Sequence, residues 1–237
     1  PGALARDAAG RASTSEVVHE VAVGPIHAGV IEPGSFRFQC TGEQVLHLEI
    51  QLGYQHRGVE AMLERLDPRR TIPLVETIAG DASVAHAWAA CAALERLAGV
   101  EVAPAIELAR GLALELERVG MHLAGLAGLA TDVGFVPGAS TYGRLRTTAI
   151  NTTMRLCGSR FGRGAIRPGG VGVRVDQRVV ADAVALLRGH GATADACFFE
   201  SRIVQHRLKD VGALTRDQAV QIGLVGLAAR ACGVALD

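Results

Sequence analysis

The sequence has few aromatic residues, no net charge and no long apolar run, and each shortage argues against a class of protein. Aromatic residues make up 4% of the 237 residues while 29 are glycine, a composition that suits closely packed helices better than a β-sandwich. Lysine and arginine together number 24, and aspartate and glutamate together also number 24. Charge therefore favours neither nucleic acid nor an anionic bilayer as a partner. The longest apolar run, residues 119–130, contains His122 and is too short to span a membrane.

Closely spaced cysteine pairs are missing as well. The five cysteines lie far apart, and none belongs to a Cys-x-x-Cys pair. This spacing argues against a zinc or iron–sulfur site assembled from a local motif. They are predicted to be buried, reduced thiols of a cytoplasmic protein, with catalytic use of one of them as the less favoured alternative.

An antiparallel β unit is predicted near the N-terminus. Residues 1–16 lack any periodicity and are predicted to form a linker, followed by a strand at 17–23. A hairpin comes next, with strands at 35–40 and 44–52 joined by a turn at 41–43. Four apolar side chains share one face of its second strand and are expected to pack inward on the rest of the domain: Leu46, Leu48, Ile50 and Leu52.

From Gly58 onward the apolar residues recur at helical spacing. Helices are predicted at about 71–98, 104–130, 141–160, 176–190 and 194–209, with a shorter one near 215–223. A glycine-rich break at 162–172 does not have the glycine spacing of a nucleotide-binding loop. The predicted fold class is therefore α+β, mainly α, in which an antiparallel β-hairpin unit at 17–57 leads into a helical bundle at 58–237.

The stretch Glu76–Gly99 is the most informative part of the helical region. Its second half is a strong helix, while Gly80 is expected to interrupt the pattern just before it, with Asp81 and Ser83 as candidate caps. A turn that leads into a helix presents free N–H groups and the positive end of the helix dipole, which suits a ligand or a redox centre. His86 is a second candidate there, or else a buried histidine with satisfied hydrogen bonds.

Two further groups of titratable residues are candidates for proton transfer. His27 and Glu32 lie on a loop bounded by prolines, where a histidine and a carboxylate can be held for acid–base chemistry near neutral pH. A loop histidine bonded to a backbone carbonyl is the alternative. His56, Arg57 and Glu60 follow the hairpin, and the latter two can either pair at the surface or line a buried cavity.

A polar stripe is predicted along the helix at 104–130. Its charged residues recur at spacings of three to five, so they lie either inside the bundle, where charges must pair, or on an ordinary solvated face. The residues are Arg110, Glu115, Arg118 and His122.

Several segments together resemble the large subunit of group 4 membrane-bound [NiFe] hydrogenases and the D subunit of NADH:quinone oxidoreductase (complex I). Residues 76–86, Glu-Thr-Ile-Ala-Gly-Asp-Ala-Ser-Val-Ala-His, are similar to Glu-Arg-Ile-Cys-Gly-Ile-Cys-Ser-Val-Ala-His of the hydrogenases. Residues 24–33 match Gly-Pro-x-His and Glu-Pro of their N-terminal loop, and residues 53–60 match the shared Gly-x-x-His-(Arg/Lys)-Gly-x-Glu. Residues 167–171 match Arg-Pro-Gly-Gly-Val, and residues 207–237 follow the late Arg and Gly pattern.

The departures from these patterns are at chemically important positions. The two cysteines of the hydrogenase segment fall at Ala79 and Ala82, so the resemblance implies a cysteine-less member without the [NiFe] centre. The tyrosine of the complex I family falls at Gly80, and its second loop histidine falls near Ile31, although the first is kept as His27. Family members continue with a further C-terminal region, so the chain is expected to be a C-terminally truncated fragment.

The resemblance implies a subunit of a membrane-associated, hydrogenase-4-like or complex-I-like oxidoreductase that is not active alone. It would lie peripherally on the cytoplasmic side of the inner membrane, against an iron–sulfur small subunit and beside antiporter-like membrane subunits. The cavity between the two peripheral subunits would hold quinone or another electron acceptor, while this chain alone would bind no cofactor. NAD(P)H oxidation would belong to another subunit, because no dinucleotide motif occurs here. The alternative is a non-catalytic structural or coupling subunit.

The resemblance also assigns roles to the candidate residues. Proton transfer would involve His27, Glu32, His56 and Glu60, and Arg57 is a further candidate catalytic residue. Acceptor binding would involve Asp81, His86 and Arg167. Because the residues at 79, 80 and 82 are small, a hollow is expected there, bordered by at least three of His27, Glu32, His56, Arg57 and Asp81.

Overall fold

The computed structural model describes residues 18–27 and 33–235, which form a small sheet followed by a helical bundle. Three antiparallel strands pair in the order β1-β2-β3, at Val18–Val23 (β1), Ser35–Thr41 (β2) and Gln44–Gln51 (β3). The hairpin lies within one residue of its predicted bounds, because its turn has the local chemistry it needs: Gly42 adopts a φ of 59°, in the left-handed region that glycine favours.

The sheet has one apolar face, and this face is exposed. Phe38 of β2 pairs with Leu48 of β3. Leu48 and Ile50 are 40% and 56% exposed, and Leu46 and Leu52 are exposed as well. The prediction that the apolar side chains of β3 pack inward is therefore wrong. Their alternation reports which side of the sheet is apolar, whereas what covers that side depends on elements elsewhere in the fold.

Helices make up most of the remaining chain. The first part holds α1 (Val59–Arg65), a 3-10 turn (Pro68–Arg70) and α2 (Thr71–Val75). The long helices are α3 (Ser83–Ala98), α4 (Pro104–Asp132), α5 (Val136–Cys157) and α6 (Gln177–Phe199). Two short antiparallel strands, β4 (Ile166–Arg167) and β5 (Gly170–Val171), lie between α5 and α6. The last helices are α7 (Arg202–Leu208), α8 (Arg216–Gln221) and α9 (Gly226–Ala231).

Proline and glycine set the ends of the long helices. Pro104 occupies the first turn of α4, where its missing N–H costs nothing. Gly99 and Gly158 end α3 and α5 in the left-handed conformation, with φ of 66° and 79°. The mainly helical α+β fold class predicted from the sequence is confirmed.

Several predicted helix boundaries differ from the structure, among them the start of α5, which is Val136 rather than residue 141. The helix expected at 71–98 is divided into α2 and α3, with Gly80 in the gap as anticipated. The gap between two helices expected at residues 190–194 is wrong. The helix α6 continues to Phe199, and the gap before α7 lies at Glu200–Ser201. Ala194 and Phe198 are buried against α5, and this packing outweighs the cost of about 1 kcal/mol that each nearby glycine imposes on a helix. The sequence also did not predict α9.

The bundle has two main clusters of buried side chains. The first joins the C-terminal half of α4 to α5, α6 and α7 and contains Ala130, Tyr142, Leu145, Ala194, Phe198 and Val204. The second lies between α3, α4 and β4 and contains Val84, Ala87, Cys91, Ala113 and Ile166. Among the described residues, none of the helices combines the length and apolar character that a membrane span requires.

Candidate functional site around the first turn of α3

A buried ion pair holds the Arg-Pro-Gly-Gly turn against α3 and α4. Arg110 of α4 is fully buried and places Nη2 2.6 Å from Oε1 of Glu95 on α3. The same guanidinium donates to the carbonyl oxygens of Arg167 and Gly170, at 2.9 and 3.0 Å. Glu95 in turn accepts from the N–H of Gly169 at 2.7 Å. The hydrogen bond from Arg110, aided by that of Gly169, holds the pKa of Glu95 below its usual range.

A second buried carboxylate holds the glycine-rich loop before this turn. Glu76, just after α2, is 6% exposed and accepts from the N–H of Gly164 at 2.6 Å. Its backbone carbonyl accepts from the hydroxyl of Ser83, which is fully buried. The glycine-rich break at 162–172 is therefore fixed by side chains from distant parts of the chain.

The first turn of α3 is capped from α4. Glu117 accepts from the N–H groups of Val84 and Ala85, at 2.7 and 3.1 Å. Burial raises the pKa of Glu117, the two N–H groups act in the opposite direction, and the nearby charge of Asp81 raises it further. The prediction that Asp81 or Ser83 caps this helix is wrong: Ala82 occupies the cap position without a side-chain hydrogen bond, and the carboxylate comes from 33 residues further along the chain.

Arg57 connects the junction between β3 and α1 to the loop that leads into α3. Its Nη2 donates to the carbonyl oxygens of Thr77 and Ile78, at 2.5 and 2.8 Å. It therefore contacts the chain immediately before Ala79 and Gly80, rather than pairing with Glu60. The structure thus places the segment after β3 beside the loop before α3, where the sequence predicted a hollow.

A small pocket borders the loop at Asp81. Glu117 and Arg160 contribute polar groups to its lining, while the remaining contacts are largely apolar. The apolar part of the lining consists of Leu116, Met121, Ile150 and Phe161. The pocket's volume is only about 10 Å³, so a carboxylate pair and one guanidinium border a space with room for a proton or about one water molecule.

The predicted proton-transfer residues are placed as follows. His27 is half-buried, with its ring 6.2 Å from that of Phe36. His56 and Glu60 are exposed. Glu32 lies outside the described residues, so the predicted meeting of three of the five side chains at one hollow stays a prediction.

The predicted acceptor-binding residues lie in three places: the loop before α3, the first turns of α3 and the Arg-Pro-Gly-Gly turn between β4 and β5. Asp81 is exposed at the pocket, and His86 is half-buried in the first turns of α3. Arg167 is exposed, and its Nε donates to the carbonyl oxygen of Gly164 at 3.3 Å. Its backbone carbonyl, rather than its side chain, contacts buried Arg110.

The donor set at this loop does not fit a [NiFe] centre. Such a centre needs thiolates, and Ala79 and Ala82 supply none. Cys91, the nearest buried thiol of α3, has its pKa raised to about 11 by burial, which opposes the thiolate form. In the described part of the chain, no three His, Cys, Asp or Glu side chains are grouped so as to hold a metal ion.

Sequence reasoning missed the three carboxylates that organise this region. Glu76, Glu95 and Glu117 all accept from backbone N–H groups that lie far away in the chain. A signal was available for Glu95, which lies on the same helical face as Val84 and Cys91 and so breaks an apolar stripe. For the polar stripe of α4 both interpretations hold in part: Arg110 is buried and paired, whereas Arg118 pairs with Glu115 at the surface and His122 is exposed.

Comparison with known proteins finds relatives in the two groups of subunits that the sequence resembles. Residues 132–237 match the family described as respiratory-chain NADH dehydrogenase, 49 Kd subunit. The D subunit of NADH-quinone oxidoreductase from Campylobacter concisus (strain 13826) is 31% identical over 219 residues, which cover 90% of this chain and 53% of that protein. The alpha subunit of the membrane-bound hydrogenase of Pyrococcus furiosus is 28% identical over 221 residues, which cover 92% of this chain and 52% of that protein.

A solved structure gives the same result for the fold. A chain of the membrane-bound sulfane sulfur reductase, described as an archaeal respiratory membrane complex, matches with a TM-score of 0.85 and 26% identity. The match covers 95% of this chain and 61% of that chain. The chain thus spans about half the length of the curated relatives it matches. The resemblance inferred from the residues is confirmed.

Proposed function

Because the chain is similar to the D subunit of NADH-quinone oxidoreductase and to the alpha subunit of membrane-bound hydrogenase, we propose that it helps form an electron-acceptor cavity in a membrane-associated respiratory complex. The observation that carries this proposal is the contact of Arg57 with Thr77 and Ile78. It places the residues after the hairpin beside the loop that leads into α3. The acceptor would be a quinone or a molecule of similar chemistry.

The cavity would be completed by other subunits. An iron–sulfur small subunit would supply electrons across it, and antiporter-like membrane subunits would lie beyond. This chain would then be a peripheral subunit on the cytoplasmic side of the membrane. The relatives named above are described as membrane-bound or as quinone oxidoreductase subunits, which supports association with a membrane complex.

Within the cavity the proposed roles follow from residue chemistry. Reduction of a quinone takes up protons, and histidine and carboxylate groups can deliver them near neutral pH. His27, Glu32, His56 and Glu60 are proposed for this transfer, with Arg57 as the residue that fixes the junction carrying two of them. Asp81, His86 and Arg167 would then border the acceptor.

A second candidate function is a non-catalytic coupling subunit of the same kind of complex. The observation that favours it is the chemistry of the loop before α3, where Ala79, Gly80 and Ala82 offer neither a thiolate nor a phenol. In addition, Glu76 and Glu117 bond to backbone N–H groups, which makes them structural anchors. In this function the loop would transmit movement and the acceptor would be reduced elsewhere.

The two functions can be separated in the assembled complex, isolated through a tag on this chain. Reduction of a soluble quinone analogue would be measured with Arg57→Gln, and with Arg69→Gln as the matched control, since Arg69 is highly exposed and, among the described residues, pairs only with Asp67. Loss of the carbonyl contacts should lower kcat by about tenfold or more in the first variant, because misplacement near 1 Å is costly to catalysis. Arg69→Gln should keep the wild-type rate.

The outcome depends on both rate and ion transport. A complex with Arg57→Gln that assembles fully and reduces the acceptor at the wild-type rate would contradict the cavity proposal. If that variant then transports fewer ions per electron, the coupling function is supported. A complex that contains no iron–sulfur subunit would contradict both.

A further inference from the structure

A pocket lies between α5 and α6, next to a direct link between these helices. Tyr142 of α5 is fully buried, and its hydroxyl donates to Oδ1 of Asp195 on α6 at 2.8 Å. The ring of Tyr142 also packs edge-to-face on Phe198, with centroids 5.7 Å apart. These contacts fix the spacing of the two helices, so the pocket beside them is held open by the fold.

The floor of the pocket is apolar and closely packed. A Cβ atom at Gly138 would lie 2.6 Å from the ring of Phe135 and 3.2 Å from that of Phe198, so only glycine fits. Ala194 of α6, which also lines the pocket, is buried. The cavity has a volume of about 190 Å³. This is below the ~300 Å³ at which pockets for drug-sized ligands begin, so an occupant would be small.

The walls of the pocket are cationic and polar. Arg144 projects from α5 and His190 from α6, and no carboxylate contributes to the lining. Within residues 18–27 and 33–235, neither side chain has an ion pair or a hydrogen bond. Asp195 follows Ala194 of the floor in the sequence, but its carboxylate already accepts a hydrogen bond from the hydroxyl of Tyr142. Of the two hydroxyls, that of Thr193 can donate to a ligand, whereas that of Thr141 already donates to a backbone carbonyl.

We propose that this pocket binds a small oxyanion, such as phosphate or a short carboxylate, between Arg144 and His190. The guanidinium would donate two parallel hydrogen bonds, and the imidazole and the hydroxyl of Thr193 would donate one each. The apolar floor would accept a short hydrocarbon part in the case of a carboxylate. This site is independent of the electron-acceptor cavity and does not rest on it.

The exposed thiol of Cys197 lines the same pocket and can report on its occupant. The full chain would be alkylated with anionic iodoacetate or with neutral iodoacetamide, and labelling at each cysteine measured by mass spectrometry. Inorganic phosphate should slow labelling of Cys197 by either reagent but leave that of half-buried Cys232 unchanged. Without phosphate, iodoacetate should be favoured at Cys197, because the pocket attracts the anion.

Arg144→Gln should remove both effects and weaken phosphate binding by about tenfold or more, as expected for loss of a charged donor. Arg155→Gln is the matched control, since this exposed residue lies on the same helix about 16 Å further along. Its phosphate affinity should stay within twofold of wild type. His190→Gln should give an intermediate loss, which keeps the test decisive if the variant at 144 does not fold.

Three results would overturn the proposal. One is equal protection of Cys197 in wild type and in both pocket variants. Another is protection by chloride at the same ionic strength, which would indicate screening rather than a site. The third is the absence of saturable phosphate binding to the folded wild-type chain.

Discussion

The guanidinium of Arg110 and the carboxylate of Glu95 form an ion pair at 2.6 Å in which the two side chains are only 0% and 7% exposed. Arg110 also meets Glu107 at 3.1 Å. Through the carbonyls of Arg167 and Gly170 this pair fixes the Arg-Pro-Gly-Gly turn. The turn carries no buried side-chain anchor of its own, so its position depends on charges contributed by α3 and α4.

Removing one member of this pair should therefore destabilise the protein strongly. Arg110→Met leaves the carboxylate of Glu95 buried without its cation, and such losses cost about 3–5 kcal/mol. The free energy of unfolding in urea would be compared with that of Arg118→Met. Arg118 and Glu115 are 61% and 56% exposed, so that control should cost less than about 1 kcal/mol. Equal losses in the two variants would contradict the importance of burial.

The same ion pair determines how the free energy of unfolding changes as the pH becomes acidic. The pKa of Glu95 is lowered by Arg110, so the folded state binds the proton more weakly than the unfolded chain. The stabilisation is complete above the unfolded pKa of about 4.3 and is lost as the pH falls through the lower folded pKa. Glu95→Gln should therefore be much less stable than wild type near pH 7, and the difference should shrink on acidification. A constant difference between pH 7 and acid would refute this assignment.

Glu117 should give a pH dependence of the opposite sign. Burial raises its pKa, so the folded state binds the proton more tightly than the unfolded chain. Wild-type stability relative to Glu117→Gln should then fall as the pH rises from the unfolded pKa of about 4.3 through the higher folded pKa. In an Asp81→Asn background the pH range over which stability falls should narrow, because the charge of Asp81 helps to raise the pKa of Glu117. The free energy of unfolding in urea would be measured across that pH range. A rise of wild-type stability relative to Glu117→Gln with increasing pH would contradict the assignment.

Nickel and iron should be nearly absent from the purified chain. Ala79 and Ala82 stand where the hydrogenase pattern has cysteines, and soft metals need such thiolates. Elemental analysis should give far less than one nickel per chain, both before and after incubation with nickel and a reductant. A stoichiometric nickel content that survives dialysis would show that other residues provide the ligands.

The sequence predicted elements whose cause is local and missed contacts whose cause is distant. The hairpin was predictable because alternation and the turn at Gly42 lie within a few residues of each other. The interruption at Gly80 was predictable for the same reason. The continuation of α6 to Phe199 was not, because it depends on packing against α5 and on the link from Tyr142 to Asp195.

The candidate site shows the same limit. The bond from Arg57 to the loop before α3 joins residues 20 and 21 positions apart, and only the family pattern indicated that these segments meet. Glu76 and Glu117 bond to backbone N–H groups, and a backbone partner leaves no side-chain pattern in the sequence, whereas Glu95 at least interrupts the apolar stripe of α3. Buried carboxylates of this kind become visible only when the fold brings a loop to them.

The exposed apolar face of the sheet should cause the isolated chain to associate. Val21, Val23, Leu48 and Ile50 are 38–56% exposed on the two strands that flank β2, and contiguous apolar surface of this kind drives contact between molecules. Sedimentation velocity should show concentration-dependent association of the wild-type chain. The double variant Leu48→Gln/Ile50→Gln should reduce it, because it replaces apolar surface with amides without changing the charge.

Glu49→Gln is the matched control for that experiment, since successive side chains of β3 point to opposite faces of the sheet. It places an amide between the two altered positions but leaves the apolar face intact, so association should match or exceed that of wild type. Circular dichroism would confirm that all three chains keep their helical content. A wild-type chain that stays monomeric at high concentration would refute the prediction, as would a double variant that associates as strongly as wild type.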